Sequence, residues 1–467
     1  MAALPYQRLA YSPQADLLAL AFGPHLHVCD LSTGTIVATT EITEENAAHL
    51  SSPTHVLECP KIKQRVPLPA QPAAQAEATI APPANESAPA AEHPPPATAT
   101  RVATSVPPKP SAAATKVIPG DATVDEQVVR PELTGADIRS VVFSPDGRYL
   151  AVNRDDKALY LWDATAWQLR AGFCTLRRCN SLAFTRDSTC LLAADKFGDV
   201  YRYRLADLVD AAPADGGPIH DTLDDELIMG HVSMILDMAV TPGDGYVVTG
   251  DRDEKIRISQ YPNCYTIQAF ALAHTAFVSA LAVPGWAAGP PLLLSGGGDG
   301  RFIVWDYVRG LATQIWELSK LFTELAGLTP KRVNVRRIRL SRTDQLAAVI
   351  CEALPYVALF DLVTPDSGEF VARFRQLLPT VRPPLDLIFD RSDRLWVTGE
   401  SSTSEPKPAL VEAFAVGADG QYGAVSPGEA QAFTGVFAIH TRTVAKLPCV
   451  QSLEEYRKDP TRDAHES

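Results

Sequence analysis

One motif recurs along this chain in fixed order. It consists of a short apolar strand, a turn of the Ser-Pro-Asp-Gly kind, an alternating strand ending in small residues, an Asp-rich turn, and a strand closing on an aromatic residue and Asp. Such self-similarity constrains a fold more than composition does, because one unit cannot bury its apolar faces alone and must stack on copies of itself. The clearest copy runs from Ile138 to Asp163, IRSVVFSPDGRYLAVNRDDKALYLWD. Val141 and Phe143 alternate before Ser144-Pro145-Asp146-Gly147, where Pro presets φ and Gly accepts a positive φ. Tyr149 to Val152 returns as a second strand. After the turn at Arg154 to Lys157, Leu159 and Leu161 alternate with Tyr160 and Trp162, the period of a third strand.

Further copies span Cys179 to Tyr203, Gly230 to Gln260 and His274 to Asp306, the last closing on Trp305-Asp306. Weaker ones lie at Tyr11 to Asp30, Ile338 to Asp361 and around Leu385 to Thr398, which makes seven. Outside one long interruption, strand ends lie roughly 40 to 57 residues apart, the spacing of four-stranded WD-type blades with loop insertions. The expected fold is therefore all-β, a seven-bladed WD-repeat β-propeller. Residues 1–40 form the first blade, 41–131 a largely disordered insertion, 132–445 the other six blades and 446–467 a tail. The Pro/Ala-rich part of the insertion, 65–119, cannot bury enough apolar surface to offset its ordering entropy. A second, acidic insertion from Ala206 to Glu226 reads as a solvated loop. The tail could make one short helix, with Leu453 and Tyr456 on one face, lying outside the propeller.

Composition narrows the function. The chain of 467 residues is 46% hydrophobic and 21% charged, with a formal net charge of −13. A polyanion such as nucleic acid is repelled by that balance, so if RNA is involved another chain supplies most of the grip. Of eight cysteines, only Cys174 and Cys179 approach zinc-ligand spacing, and no second pair completes a site. Reduced, mostly buried thiols are expected. The opening residues MAALPYQRLAYS lack the basic start and apolar run of a signal peptide, and no stretch reaches the length of a membrane span, which points to cytosol or nucleus.

No constellation recommends an enzyme, and no catalytic residue or metal site is expected. His231 and His274 occupy similar places at the start of two blades and are expected to tie the blade to an Asp such as Asp251 or Asp299. His25 and His27 flank Leu26 as a metal pair could, but without further ligands they read as solvent-facing strand residues. The string Ser295-Gly296-Gly297-Gly298-Asp299-Gly300 leads into a strand, whereas a phosphate loop requires a helix. No Gly-x-Ser-x-Gly elbow occurs.

Two charged segments stand out. Thr249 to Ser259, TGDRDEKIRIS, gathers Arg252, Asp253, Glu254, Lys255 and Arg257 where an ordinary repeat has a plain turn. A dense mixed-charge turn can orient a specific partner. Equally, it can be a surface turn with internal salt bridges of little energetic weight. The second segment, Lys331, Arg332, Arg336, Arg337, Arg339 and Arg342, opens the sixth blade. It reads as a possible RNA contact or, slightly better, as a solvated strand edge guarded by charge.

The stretch GHVSMILDMAVTPGDGYVVTGDRDEKIRISQYP, Gly230 to Pro262, followed by AHTAFVSALAV, Ala273 to Val283, resembles the WD-repeat, non-catalytic subunit of the eukaryotic tRNA (guanine-N7-)-methyltransferase. Arg-Asp-Glu-Lys-Ile-Arg is its distinguishing part, with Ile258-Ser259 replacing the usual Trp-Asp close; Ala273-His274 stands where that family tends to have Gly-His. The resemblance implies a heterodimer with a separate methyltransferase that binds S-adenosylmethionine and methylates a variable-loop guanosine. It also implies no cofactor on this chain, docking through Arg252, Lys255 and Arg257 with Asp253 and Glu254 orienting them, and residence in the nucleus. A generic WD scaffold, such as a ubiquitin-ligase substrate receptor or a chromatin-complex subunit, is the alternative, because one fold hosts many roles.

Overall fold

In a blade both faces of the sheet are covered by neighbouring blades, so its strands must be apolar on both sides. The second strands read accordingly: Leu191–Ala194 and Leu346–Cys351 are buried without a break. The computed structural model describes residues 8–40, 55–57, 137–210, 225–286, 289–363, 370–399, 411–425 and 453–457. Among these, seven antiparallel sheets follow one another, at 8–39, 138–174, 179–230, 235–271, 278–317, 335–379 and 384–424. Each contains four antiparallel strands consecutive in the chain and ordered from the axis outward. The first strand of every blade touches the first strand of the next, and the series closes from blade 7 to blade 1. Seven innermost strands thus surround a central channel.

Among the described residues, the first and last blades share no strand. Closure of the ring rests on side chains: Leu9, Leu18 and Leu20 of blade 1 form one apolar cluster with Trp396 and Val411 of blade 7. Two hydrogen bonds fix the register. The Leu9 amide donates to Asp386 Oδ2 at 3.0 Å, and the Arg391 amide donates to the Tyr11 hydroxyl at 2.8 Å.

Several expectations need correction. His55–Val56, inside the expected insertion, pairs in parallel with Thr35–Thr39 and adds a fifth strand to blade 1. The acidic insertion opens with a helix, α1, Leu205–Asp210, whose Leu205 and Leu208 are buried against blade 3. The rest of that insertion, 211–224, and the Pro/Ala-rich segment 65–119 lie outside the described residues. A second helix, α2, Leu318–Ala326, follows blade 5. It buries Leu318, Leu321 and Phe322 and ends at Gly327 in the left-handed conformation, a common helix stop. His27 is buried, because blade 1 has a neighbour on each side, and does not face solvent. The tail's expected helix is a single 3-10 turn, Leu453–Tyr456. It does not lie outside the propeller: Leu453 packs on Leu236 and Phe277, its amide donates to Glu352 at 2.8 Å, and Arg457 donates to the Gly298 carbonyl and to Asn334. Six cysteines among the described residues are free and buried, Cys174 and Cys179 included.

Candidate partner-docking surface

Blade 5 shows what an ordinary repeat achieves. Trp305 Nε1 donates to Ser295 Oγ at 2.7 Å, Ser295 Oγ meets His274 Nε2 at 2.7 Å, and His274 Nδ1 lies 3.0 Å from Asp299. One buried relay joins the third strand, the second strand, the entry loop and the following turn. The neighbouring glycines of Ser295–Gly300 are steric requirements: a Cβ at Gly296 would overlap Val335, and one at Gly298 would overlap Phe277. Burial raises the Asp299 carboxyl, but its bonds to His274 and to the amides of Thr275 and Arg301 outweigh that and hold it below its ordinary value of 3.8. A carboxyl depressed on folding contributes stability that is fully present above its ordinary value and is lost as the pH falls through the depressed one. Acid unfolding of Asp299→Asn is therefore expected to begin from a lower stability and to show a shallower pH dependence below about pH 4, which thermal melts from pH 3 to 7 would measure.

Blade 4 departs from this plan around the charged string. Thr249 Oγ1 meets His231 Nε2 at 2.7 Å, but Ser259 stands in the position of Trp305 and Arg257 in that of Ile303. Arg257 fills the space. Its Nε donates to Ser259 Oγ at 2.8 Å, one Nη to the Gly230 carbonyl at 2.9 Å and the other to the Cys264 carbonyl at 2.8 Å. Only 8% exposed, and with its guanidinium pushed below its usual range by burial, it staples blade 3 to blade 4. This corrects the docking role expected of Arg257: a side chain spent on three internal acceptors is not presented to a partner.

Of the other charged residues of the string, Lys255 is exposed, Arg252, Asp253 and Glu254 are half-buried and Asp251 is buried. Asp251, aligned with Gly297 of blade 5, governs the turn: one carboxylate oxygen accepts the amides of Asp253 and Lys255 at 2.8 and 2.9 Å, and the other lies 3.3 Å from His231. Glu254 takes a positive φ of 72°, a strained conformation for a residue with a side chain. Among the described residues, Arg252 and Glu254 make no ion pair, and Lys255 is exposed. Asp251 thus sets the backbone of the turn that carries Asp253 and Glu254.

Sequence reasoning missed the neighbours of this turn. The Arg252 amide donates to Met234 in the entry loop of blade 4, and the His231 amide in that loop donates to Gly198 in the turn of blade 3. Beside Gly198, Phe197 is 54% exposed, with the Arg177 guanidinium 4.4 Å and the Lys196 ammonium 5.2 Å from its ring centroid. Val232 is fully exposed. Phe197 and Val232 share one surface over blades 3 and 4 with Arg177, Lys196, Arg252 and Lys255, where Arg177 is paired with Asp199 at 2.9 Å and Asp253 and Glu254 stand between the last two cations. An apolar pair among mixed charges is the kind of surface that orients a specific partner. An exposed phenylalanine beside a lysine was the signal available in the sequence, but it becomes meaningful only once the blade order is known.

The other basic segment goes elsewhere. Lys331 and Arg332 are exposed before blade 6, whereas Arg336, Arg337 and Arg339 lie on its innermost strand, Val335–Leu340, at the channel. Arg336 is buried 3.3 Å from Glu352. Among the described residues no group of His, Cys, Asp and Glu is placed to hold a metal, and no helix is long and apolar enough to cross a membrane.

The profile of the tRNA methyltransferase TRM82 WD40 domain family matches residues 18–218 and 217–406. Among curated relatives, the zebrafish tRNA (guanine-N(7)-)-methyltransferase non-catalytic subunit wdr4 is 40% identical over 266 residues, 56% of this chain and 60% of its own length. The mouse WDR4 subunit is 37% identical over 291 residues, 62% of this chain and 65% of its own. The yeast non-catalytic subunit TRM82 (Saccharomyces cerevisiae, strain RM11-1a) is 29% identical over 228 residues, 46% of this chain and 48% of its own. The matches thus span less than two thirds of these relatives. Among solved structures, U3-55K (TM-score 0.53, 14% identity, 85% and 89% of the two chains) and the RRP9 WD40 repeats (TM-score 0.52, 14% identity, 85% and 88%) share the fold.

Proposed function

The chain belongs to the tRNA methyltransferase TRM82 WD40 domain family, and from that premise we propose that it is the non-catalytic subunit of a heterodimeric tRNA (guanine-N7)-methyltransferase. The observation that carries this is the turn Arg252 to Lys255. Its backbone is fixed by Asp251, which also meets His231, and it is flanked by Phe197 and Val232, in a chain whose matched relatives are named non-catalytic subunits of that enzyme. The partner supplies S-adenosylmethionine binding, the methyl transfer to a variable-loop guanosine and most of the contact with tRNA. The propeller supplies a fixed surface that binds the competent conformation of the partner, and a binder shifts such an equilibrium by its differential affinity for the two states. The complex resides in the nucleus.

Affinity purification at low salt followed by identification of the bound chain tests the proposal. A co-purifying methyltransferase, active on tRNA guanosine N7 only when this chain is present, is the expected result. Recovery of a ubiquitin-ligase adaptor without a methyltransferase would overturn it.

A further inference from the structure

The axis of the propeller holds a second concentration of positive charge. Arg8, Arg139, Arg337 and Arg339, from the innermost strands of blades 1, 2 and 6, line a cavity of about 300 Å³ together with Asp237 and Asp386. Both carboxylates are already engaged. Asp237 accepts from the Ser181 hydroxyl at 3.2 Å and from the amides of Met238 and Leu281 at 3.0 and 2.9 Å. Asp386 accepts from the amides of Leu9 and Leu387 at 3.0 and 2.9 Å and from Arg339 at 3.4 Å. Arg337 is 17% exposed and its Nε finds no acceptor, standing 3.9 Å from Asp386, beyond hydrogen-bonding range.

Four guanidinium groups thus face two lining carboxylates, although Arg139 is also ion-paired with Asp155. Burial, followed by repulsion from Arg337 and only partly countered by Asp386, lowers the Arg8 guanidinium to about 9. Like charges gathered in a cavity of low dielectric are costly unless something neutralises them.

We propose that the central channel binds a small phosphate-class anion, held by Arg337 and Arg339 with Arg8 and Arg139 around it. Guanidinium groups present paired donors that match phosphate oxygens, and an anion here would give the free Nε of Arg337 its acceptor while neutralising the excess charge. The size is appropriate, since the space equals that of about ten waters in the liquid. The C-terminal turn packs across blades 4 to 6. Inorganic phosphate, pyrophosphate and a ribose 5-phosphate ester share the required chemistry.

The test titrates the full chain with each of these three at constant ionic strength, by calorimetry and by thermal melting, alone and in complex with the chain that co-purifies with it. Saturable binding of at least one with a dissociation constant below about 1 mM is expected, and which one binds separates a free anion from an ester. Arg337→Gln with Arg339→Gln should weaken binding at least about tenfold, and Asp386→Asn should tighten it, because one removes donors and the other a competing carboxylate. Arg339→Gln alone, at a less buried position, gives the same direction if the double variant fails to fold. No binding of any of the three to the folded chain at about 10 mM, or binding unchanged in folded Arg339→Gln and Asp386→Asn, would overturn the proposal.

Discussion

Reversing Arg252 and Lys255 to glutamate is expected to abolish methyltransferase activity of the reconstituted complex while leaving the propeller folded. Neither side chain takes part in the relay that holds blade 4: the turn is shaped by Asp251 acting on the amides of Asp253 and Lys255, which glutamates at 252 and 255 still provide. The variant should therefore stay folded and melt within a few °C of the parent chain, since neither change strands a hydrogen-bonded group. Its effect falls on association. Turning attraction into repulsion at a desolvated contact costs about 2–5 kcal/mol, or roughly thirtyfold and more in affinity. Analytical co-elution with the partner, together with a melt of the isolated chain, checks both halves. Unaltered co-elution and activity would remove the turn from the interface, and Phe197→Ser would then show whether the apolar part of the same surface is used instead.

Arg257→Ala should do the reverse, unfolding first and weakening activity only as a consequence. Truncation strands the carbonyls of Gly230 and Cys264 and the hydroxyl of Ser259 in an interior between two blades. An unmet buried group costs about 1–3 kcal/mol, so the loss should be about 3 kcal/mol or more, before the cavity is counted. A melting temperature lower by roughly 3–5 °C or more is expected on the usual scale for chains of this size. Arg257→Lys should recover little, because one ammonium group cannot reach three acceptors spread around a planar fork. At low temperature the surviving folded fraction should still bind the partner. A stable Arg257→Ala chain that fails to bind would place Arg257 at the interface after all.

These two arginines, five residues apart in one string, show where sequence reasoning succeeds and stops. The string was visible as unusual because an ordinary repeat lacks it. What separates its members is the direction each side chain takes. Arg252 sits in the turn and is half-buried, whereas Arg257 sits on a strand whose two faces are covered by blades 3 and 5. Periodicity locates the strand but does not say that a charged residue on it has been folded inside. The same confusion affected Arg336, Arg337 and Arg339. A run of arginines ordinarily marks a solvated surface, and the innermost strand of a blade is indeed a sheet edge, but the edge faces the channel once seven blades close around it.

Contacts between distant parts of the chain were beyond reach for a related reason. Leu453 bonds to Glu352 and Arg457 to Gly298 across more than 100 residues, and Leu9 bonds to Asp386 across nearly the whole propeller. No repeat or local propensity encodes such pairs. They exist because closing the ring brings the first and last blades, and then the tail, to the same place.

The repeat by itself determined the number of blades, the order of strands within each and the absence of a recognisable catalytic motif, since these depend on local alternation and turn chemistry. Tertiary structure alone decided which of the many charges are presented and which are enclosed. Burial is a property of what packs against a strand, and in a propeller that is always another blade, so the docking surface over blades 3 and 4 and the arginine-lined channel emerge only when the circle is complete.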